Sequence, residues 1–365
     1  MRKFCTIASV NYLPQVEVLL QSLKMYHPDI NLHLLLIDID LEQEISAENL
    51  VILAPNLICN PSALLSLRDK YDIVEFATAI KPMLLKHLLE DTDDLVIYLD
   101  PDIETYNSFE KIFDHVEEFG ILLTPHKLIA GTEDRDCMSD LNRLEYGTFN
   151  LGFIGVSSRA TAMLEWWGTR TRFASTRIPG DVVYTDQKWL DILPGYFKFG
   201  SLRNFGCNVA PWNLDERILS LRAEKIFVNN EPLIFFHFSQ VKFLIKGGLI
   251  VKSRLIAYLK NIEGESFNIA SKLTLNYLEH LQYYKLNGKI HKLIALNQII
   301  TFTRTSSLKK ILIRSGIKSR TILSIANFFP SLKLFRVYSG VYLGVFSDIF
   351  SLSRKIKRIL AEQKD

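Results

Sequence analysis

Short apolar runs alternate with segments of helical period along the first two thirds of this chain, and that alternation limits the fold more than any other feature. Phe4–Val10 reads as a buried strand, and Pro14 suits the first position of the helix that follows. On that helix Val16, Leu19, Leu20 and Leu23 fall on one face. Leu32–Ile37 is a second buried strand, running into the acidic turn Asp38-Ile39-Asp40. Ala77–Glu90 forms another helix with Leu84, Leu85, Leu88 and Leu89 inward, and Leu95–Leu99 is a strand that ends at Asp100. Ile121–Thr124, Gly152–Val156 and Leu233–Phe238 are further short apolar runs. Strands of this kind, separated by helices, predict an α/β fold with a mostly parallel sheet covered on both faces.

The 365 residues, 48% hydrophobic, can bury a sizeable core without disulfides or a structural metal. Cys5, Cys59, Cys137 and Cys207 lie far apart and form no CxxC or Cys/His cluster, which points to a reducing compartment. The opening MRKFCTIASVNYLP breaks its apolar run at Asn11 and Pro14, too soon for a signal peptide. No uncharged apolar run reaches the roughly 18 residues that a spanning helix needs, so the expected location is the cytoplasm. The net charge of +3 hides two opposite halves. From Lys246 onward there are 21 Lys and Arg against 6 Asp and Glu, which leaves 22 against 34 for residues 1–245. We therefore expect two domains: a catalytic body over 1–245 and a basic helical region over 246–365.

The stretch Val96-Ile97-Tyr98-Leu99-Asp100-Pro101-Asp102 carries the most chemistry. In open parallel sheets, ligands bind outside the carboxyl ends of the strands, where these two aspartates fall. Two carboxylates one residue apart can both give oxygen ligands to a hard divalent cation. The plain alternative is a solvated turn, since Asp and Pro both favour turns.

Beyond that motif, the chain resembles the nucleotide-sugar glycosyltransferases of the GT-A fold. The nearest branch is the galactosyltransferase- and glycogenin-like one, with related bacterial enzymes of polysaccharide loci. The resemblance spans roughly residues 4–243 and rests on segments in the family's order. These are TIASVNY, IKPMLLKHLL with LVIYLDPDI, GTFNLGFIGV, TDQKWLDILP and FFHFSQVK. The pieces LTPH, EWW, DQKWL, NVAPWNL and FFHFS are similar to the bacterial subgroup. The resemblance implies a Rossmann-like GT-A domain that moves a sugar from a nucleotide-diphosphate donor, UDP-sugars first, with retention of configuration. It implies Mn²⁺ or Mg²⁺ as cofactor, held by Asp100, Asp102 and His237. Ala8, Ser9, Asn11 and Tyr12 would contact the nucleoside, with Tyr12 stacking on the base and Asp100 near the ribose. Lys81 and Lys242 would neutralise phosphate charge. Asn150, Asp186 and Gln187 would face the donor sugar and stabilise its developing positive charge. The chain departs from the family at Ser9, where many relatives carry an acid, and at Gln240, where a glycine often stands.

Each of these residues also has a plainer role. A histidine in an apolar strand is often a satisfied core residue. Asp186 can cap the helical turn that begins at Gln187, and a lone lysine is usually solvated. His126, in LTPH, is near the expected site and equally suits a donor to the backbone. Trp166 and Trp167 suit the core, whereas Trp212, in the loop-like NVAPWNL, is a candidate acceptor contact. Among rival functions, a haloacid dehalogenase-type phosphatase also uses DxD, but on its first strand and with a small residue where Glu104 stands. A nucleotidyltransferase would show a Gly-rich basic loop where ASVNYLP stands. A degenerate transferase serving as a scaffold subunit is the non-enzyme alternative. The expected partners are a nucleotide sugar and a glycan, glycolipid or glycoprotein acceptor, with a homo-oligomer open. The segment Ser319–Leu360 mixes apolar residues with Lys333, Arg336, Arg354, Lys355, Lys357 and Arg358, the pattern of an interfacial helix on an anionic inner membrane face. It is too apolar for an arm that tracks nucleic-acid phosphates.

Overall fold

The computed structural model describes residues 1–89, 93–132, 137–177, 182–239, 241, 245–246, 249–250 and 262–294. The strands are β1 (Arg2–Ala8), β2 (Leu32–Leu36), β3 (Ile45–Ala47), β4 (Leu50–Leu53), β5 (Leu95–Leu99), β6 (Ile103–Thr105), β7 (Ile121–Pro125), β8 (Phe149–Ser157), β9 (Gly200–Ser201), β10 (Leu219–Arg222), β11 (Lys225–Val228), β12 (Glu231–Pro232), β13 (Phe235–His237), β14 (Ile245–Lys246) and β15 (Leu249–Ile250). Eight of them form one sheet in the order β3-β4-β2-β1-β5-β8-β7-β9. All but β3 and β8 run in the same direction. The mostly parallel α/β sheet expected from the alternation is therefore present.

Helices cover both faces, as a sheet buried on each side requires. Leu19 and Leu23 of α1 (Leu13–Tyr26) and Phe113 of α5 (Glu110–Phe119) pack with Phe4, Leu34 and Ile97 on one face. On the other face, side chains of α3 (Pro61–Lys70), α4 (Ile73–Leu88) and α7 (Thr161–Phe173) pack on Cys5, Leu35, Val96 and Tyr98. Helix α4 begins where it does because Asp72 accepts hydrogen bonds from the Val74 and Glu75 amides while Glu75 reaches back to the Asp72 amide. Its Phe76, Ala79, Ile80, Leu84, Leu85 and Leu88 are buried, and Lys81 is buried among them.

Several boundaries differ from the sequence reading, among them the start of α4 at Ile73 rather than Ala77. Strand β1 stops at Ala8 rather than Val10, because the Val10 amide donates to the Asp38 carboxylate at 2.9 Å and the chain turns there. The run Leu233–Phe238 is a strand only over Phe235–His237, which pairs antiparallel with β6 outside the main sheet. Leu233 and Ile234 instead donate to the carbonyls of Ile226 and Gly206.

The sequence boundary at 245/246 is followed by a long helix, Gly264–Asn287, which packs against α1 and β10. Its Ala270, Leu273, Tyr277, Leu278 and Leu281 join Val18, Phe236 and Phe238 in one apolar cluster. Glu17 of α1 accepts from the amides of Lys289 and, at 2.7 Å, Ile290 just past that helix. Later residues of the basic region, including Ser319–Leu360, lie outside the described residues.

Beneath α1, His27 ties two elements together. It is buried, its Nε2 accepts from the Phe109 amide at 2.9 Å, and its ring packs between Phe4, Phe109 and Phe113. Burial lowers its pKa, with Glu110 opposing and Arg2 adding to the effect. The unfolded chain therefore takes up the His27 proton more readily than the folded one near pH 6.5. The stability His27 contributes is full above that pH and is lost as the pH falls below it. His27→Gln keeps an acceptor and cannot titrate. In urea unfolding, wild type should lose stability relative to this variant between pH 7 and pH 5; parallel profiles would count against the neutral buried imidazole.

Candidate active site

The site forms where β5 ends. Tyr98 and Leu99 are the last buried residues of that central strand, and Asp100-Pro101-Asp102 turns out of it into β6. The Asp100 amide donates to the Gly152 carbonyl of β8 at 2.8 Å, which anchors the turn to the sheet. Because β13 pairs with β6, with His237 opposite Ile103, the imidazole arrives beside the same turn. His237 Nε2 lies 3.0 Å from Asp102 Oδ1 and 3.7 Å from Asp100 Oδ2. One ligand atom from each of Asp100, Asp102 and His237 falls within 4.8 Å of the others. These are the three residues that the sequence resemblance implied as metal ligands.

The electrostatics of the cluster match a cation site. Burial raises the Asp100 pKa and the Asp102 carboxylate adds to it, while Lys81 and His237 oppose. Burial alone would lower the His237 pKa, but the charge and hydrogen bond of Asp102 and the charge of Asp100 carry it upward. Two close carboxylates and one imidazole make a hard, mostly oxygen donor set, which suits Mn²⁺ or Mg²⁺. Gly152 leaves room for it: a Cβ there would come within 2.5 Å of His237 Cε1.

A second chain of contacts runs inward from Asp100. The Tyr98 hydroxyl donates to Asp100 Oδ1 at 2.6 Å. The Lys81 ammonium lies 4.3 Å from the centre of the Tyr98 ring, donates to the Leu151 carbonyl at 2.8 Å and pairs with Asp186 at 2.8 Å. Both charged side chains are 3% exposed. Lys81 is thus a buried counter-ion rather than a solvated lysine. Asp186 starts the turn at Gln187 without a capping hydrogen bond from its side chain, so its carboxylate is committed to Lys81. Gln187 donates to the Tyr146 carbonyl at 2.7 Å, on the side of α6 (Cys137–Tyr146).

The outer wall comes from the turn after β1. Ala8 and Ser9 are buried, Asn11 is exposed, and the Ser9 hydroxyl donates to the Asn11 side-chain oxygen. Burial raises the Tyr12 phenol pKa, and the charges of Asp102 and then Asp100 raise it further, so Tyr12 lies within electrostatic reach of the cluster. Asp38, which holds this turn through the Val10 amide, was not singled out by sequence reasoning as a site residue; its signal was the acidic turn after the neighbouring parallel strand. Lys242 and Gln240 lie outside the described residues.

The loop NVAPWNL is buried rather than open. Asn213 accepts from the Ala210 amide and donates to the carbonyls of Asn208 and His126. This fold-back sets Trp212 edge-on to both imidazoles, 5.6 Å from the His126 ring and 5.2 Å from the His237 ring. Trp167 is fully buried and its indole donates to the Asp186 carbonyl at 3.0 Å, while Trp166 packs on Tyr196 and Phe197.

No family model matches the chain. It is 28% identical over 245 residues to the uncharacterized protein YfnF of Bacillus subtilis, covering 65% of this chain and 80% of YfnF. It is 25% identical over 246 residues to the uncharacterized protein YfnD of the same organism, covering 65% and 76%. Among solved structures it is similar to the galactosyltransferase LgtC in complex with donor and acceptor sugar analogues, at 20% identity and a TM-score of 0.43 over 74% of this chain and all of that one. It is also similar to the glycosyltransferase GlyE of Streptococcus pneumoniae, at 15% identity and a TM-score of 0.42, covering 78% of this chain and 63% of that one.

The buried ion pair gives a stability test. Removing one partner of such a pair costs about 3–5 kcal/mol, because the other charge is left without compensation. Lys81→Met should lower unfolding free energy by about that amount, and the double change with Asp186→Leu should recover most of it. A loss under about 1 kcal/mol for Lys81→Met in urea unfolding would show the pair to be unimportant.

Proposed function

We propose that this protein is a metal-dependent glycosyltransferase that moves a sugar from a nucleotide-diphosphate donor, a UDP-sugar first among them, to a glycan, lipid-linked or protein acceptor. The observation that carries the reading is the Asp100–Asp102–His237 cluster at the carboxyl end of a central parallel strand. Asp100, Asp102 and His237 would hold Mn²⁺ or Mg²⁺ there, and that cation, when bound, supplies Lewis-acid stabilisation of the departing diphosphate. The turn Ser9–Tyr12 would take the nucleoside, Tyr12 stacking on the base. Lys81 holds Asp186 and, through Tyr98, sits behind Asp100, so it sets the charge of the pocket floor. Lys242 remains the proposed direct contact to the phosphates.

Asn150, Asp186 and Gln187 would line the sugar side and stabilise its oxocarbenium character. Two features support transfer with retention. An inverting enzyme needs a free base to deprotonate the acceptor. Asp186 is ion-paired, and His126 has partners on both ring nitrogens, so neither is poised for that task.

Asp102→Asn tests the metal reading. Asp102 is partly exposed at a turn, so its loss removes a cation ligand at little cost in packing. Mn²⁺-dependent hydrolysis of a panel of nucleotide sugars should fall by at least about 100-fold with the melting temperature unchanged. Full turnover in the variant, or equal turnover of wild type in chelator, would remove the metal from the mechanism.

The tail Ser319–Leu360 supports a second part of the proposal, peripheral attachment to an anionic membrane where a lipid-linked acceptor is presented. No helix among the described residues is long and apolar enough to cross a membrane. In flotation at low salt, the full chain should rise with vesicles rich in anionic lipid, and a chain ending at Ile294 should not. Equal behaviour of the two would make the tail a structural element.

A further inference from the structure

We propose that His126 and Asn150 form a hydrogen-bond relay of fixed polarity that sets which nitrogen of His237 carries its proton, making both of them positioning residues for the metal-binding imidazole. The inference deepens the metal reading above and rests on it.

The relay starts from a group that can only accept. His126 stands at the end of β7, where its backbone amide donates to the Thr148 carbonyl at 2.9 Å and its ring Nδ1 lies 3.3 Å from that same oxygen. A carbonyl offers no proton, so His126 Nδ1 must carry one. His126 is 6% exposed, and burial, aided by the Arg143 guanidinium, pushes its pKa down to about 3. The ring is therefore neutral, and its Nε2 is a bare acceptor.

The next link follows without choice. Asn150 Nδ2 is 3.4 Å from His126 Nε2, and only the NH₂ end of an amide can serve an acceptor. That turns Asn150 Oδ1 to His237, whose Nδ1 lies 3.3 Å away. An amide oxygen also cannot donate, so His237 Nδ1 holds the proton. Nε2 faces the Asp102 carboxylate at 3.0 Å and donates to it while no cation is bound, and its proton is the one a cation would displace, because the relay holds the other on Nδ1. Both imidazole links are long for N–H donors, as such contacts often are before a ligand tightens them.

The packing holds this arrangement in place. Trp212 presses its edge on both imidazoles, and Asn213 fixes the His126 carbonyl at 3.1 Å. The missing Cβ at Gly152 is what lets Asn150 Oδ1 and His237 meet, since a Cβ would lie 2.8 Å from that oxygen and 2.7 Å from His237 Nδ1. Without an acceptor at position 126, nothing stops the Asn150 amide from turning over. Its NH₂ would then face His237 Nδ1, and the proton would move to Nε2, onto the atom the cation needs.

The test compares His126→Gln, whose side-chain oxygen can still accept from Asn150, with His126→Phe, which fills the space but accepts nothing. Mn²⁺ affinity of the full chain is read by calorimetry. We expect Phe to weaken it roughly 10–100-fold, the usual effect of losing such an outer partner, and Gln to stay near wild type. Imidazole ¹⁵N shifts of the wild-type chain with Mg²⁺ should report the Nδ1–H form of His126, assigned by the signal that His126→Gln removes. Equal Mn²⁺ affinity for the two variants would overturn the positioning role. An Nε2–H form of His126 would overturn the relay itself, and this readout decides the matter if His126→Phe does not fold. A wild type that binds no Mn²⁺ while His126 still shows Nδ1–H would retire the metal reading and leave the relay standing.

Discussion

Two carboxylates set at the end of a buried strand repel each other and resist losing water, so the structure around Asp100 and Asp102 is arranged to answer their charge. The answer comes from opposite sides. His237 approaches from β13, a strand that leaves the main sheet to pair with β6 and delivers its imidazole to the turn. Lys81 approaches from α4, through the floor of the sheet, and shares its charge between the Tyr98 ring, Asp186 and the field at Asp100. Neither group neutralises the aspartates completely. Burial keeps the Asp100 pKa raised despite both partners, and a divalent cation would offset that cost.

The helix Gly264–Asn287 belongs to the same argument. Tyr277 stacks on Phe238 with ring centres 4.0 Å apart, and Phe238 is the neighbour of His237. Phe238 in turn stacks on Phe236 and donates its amide to the Asp102 carbonyl at 2.8 Å. Strand β13 is thus clamped between β6 and a helix from beyond residue 245. A second clamp lies at Glu104, which accepts from the Tyr106 hydroxyl at 2.7 Å and lies 3.0 Å from His280 Nδ1. Part of the region read as a basic appendage therefore helps to set the position of His237.

Much of this was legible in the sequence, and the gaps have physical causes. The long strands and the helices with four apolar residues on one face were visible, because burial on two sides writes continuous apolar runs. The DxD turn was visible from two carboxylates at a strand end, and the histidine only through the resemblance of FFHFSQVK to a family segment. Short strands were not. The β3–β4 pair is only three and four residues long. The β10–β11 turn places Ala223 and Glu224 at positive φ, residues that carry no hairpin signal. The turn before β12 uses Asn229 and Asn230, which do carry one, so that hairpin could have been found.

The site residues divide along the same line. A residue whose role is set by its own type and its neighbours in sequence, such as Asp100 or Asp102, can be read from the chain. A residue whose role is set by partners that only the fold brings to it cannot. Lys81 was read as a phosphate contact or a solvated lysine, because only the fold puts Asp186 and the Leu151 carbonyl at its ammonium. Trp212 looked like a loop aromatic because only the fold-back through Asn213 turns it onto two imidazoles. His126 is the clearest case. Its donor bond to the backbone was anticipated, but the acceptor on its far side has meaning only once Asn150 and His237 stand in line with it. A buried neutral imidazole can pass on the direction of a hydrogen bond, because each of its nitrogens has one fixed role once the other is assigned. That converts a backbone carbonyl at Thr148 into a constraint on the protonation of the His237 ring, three contacts along.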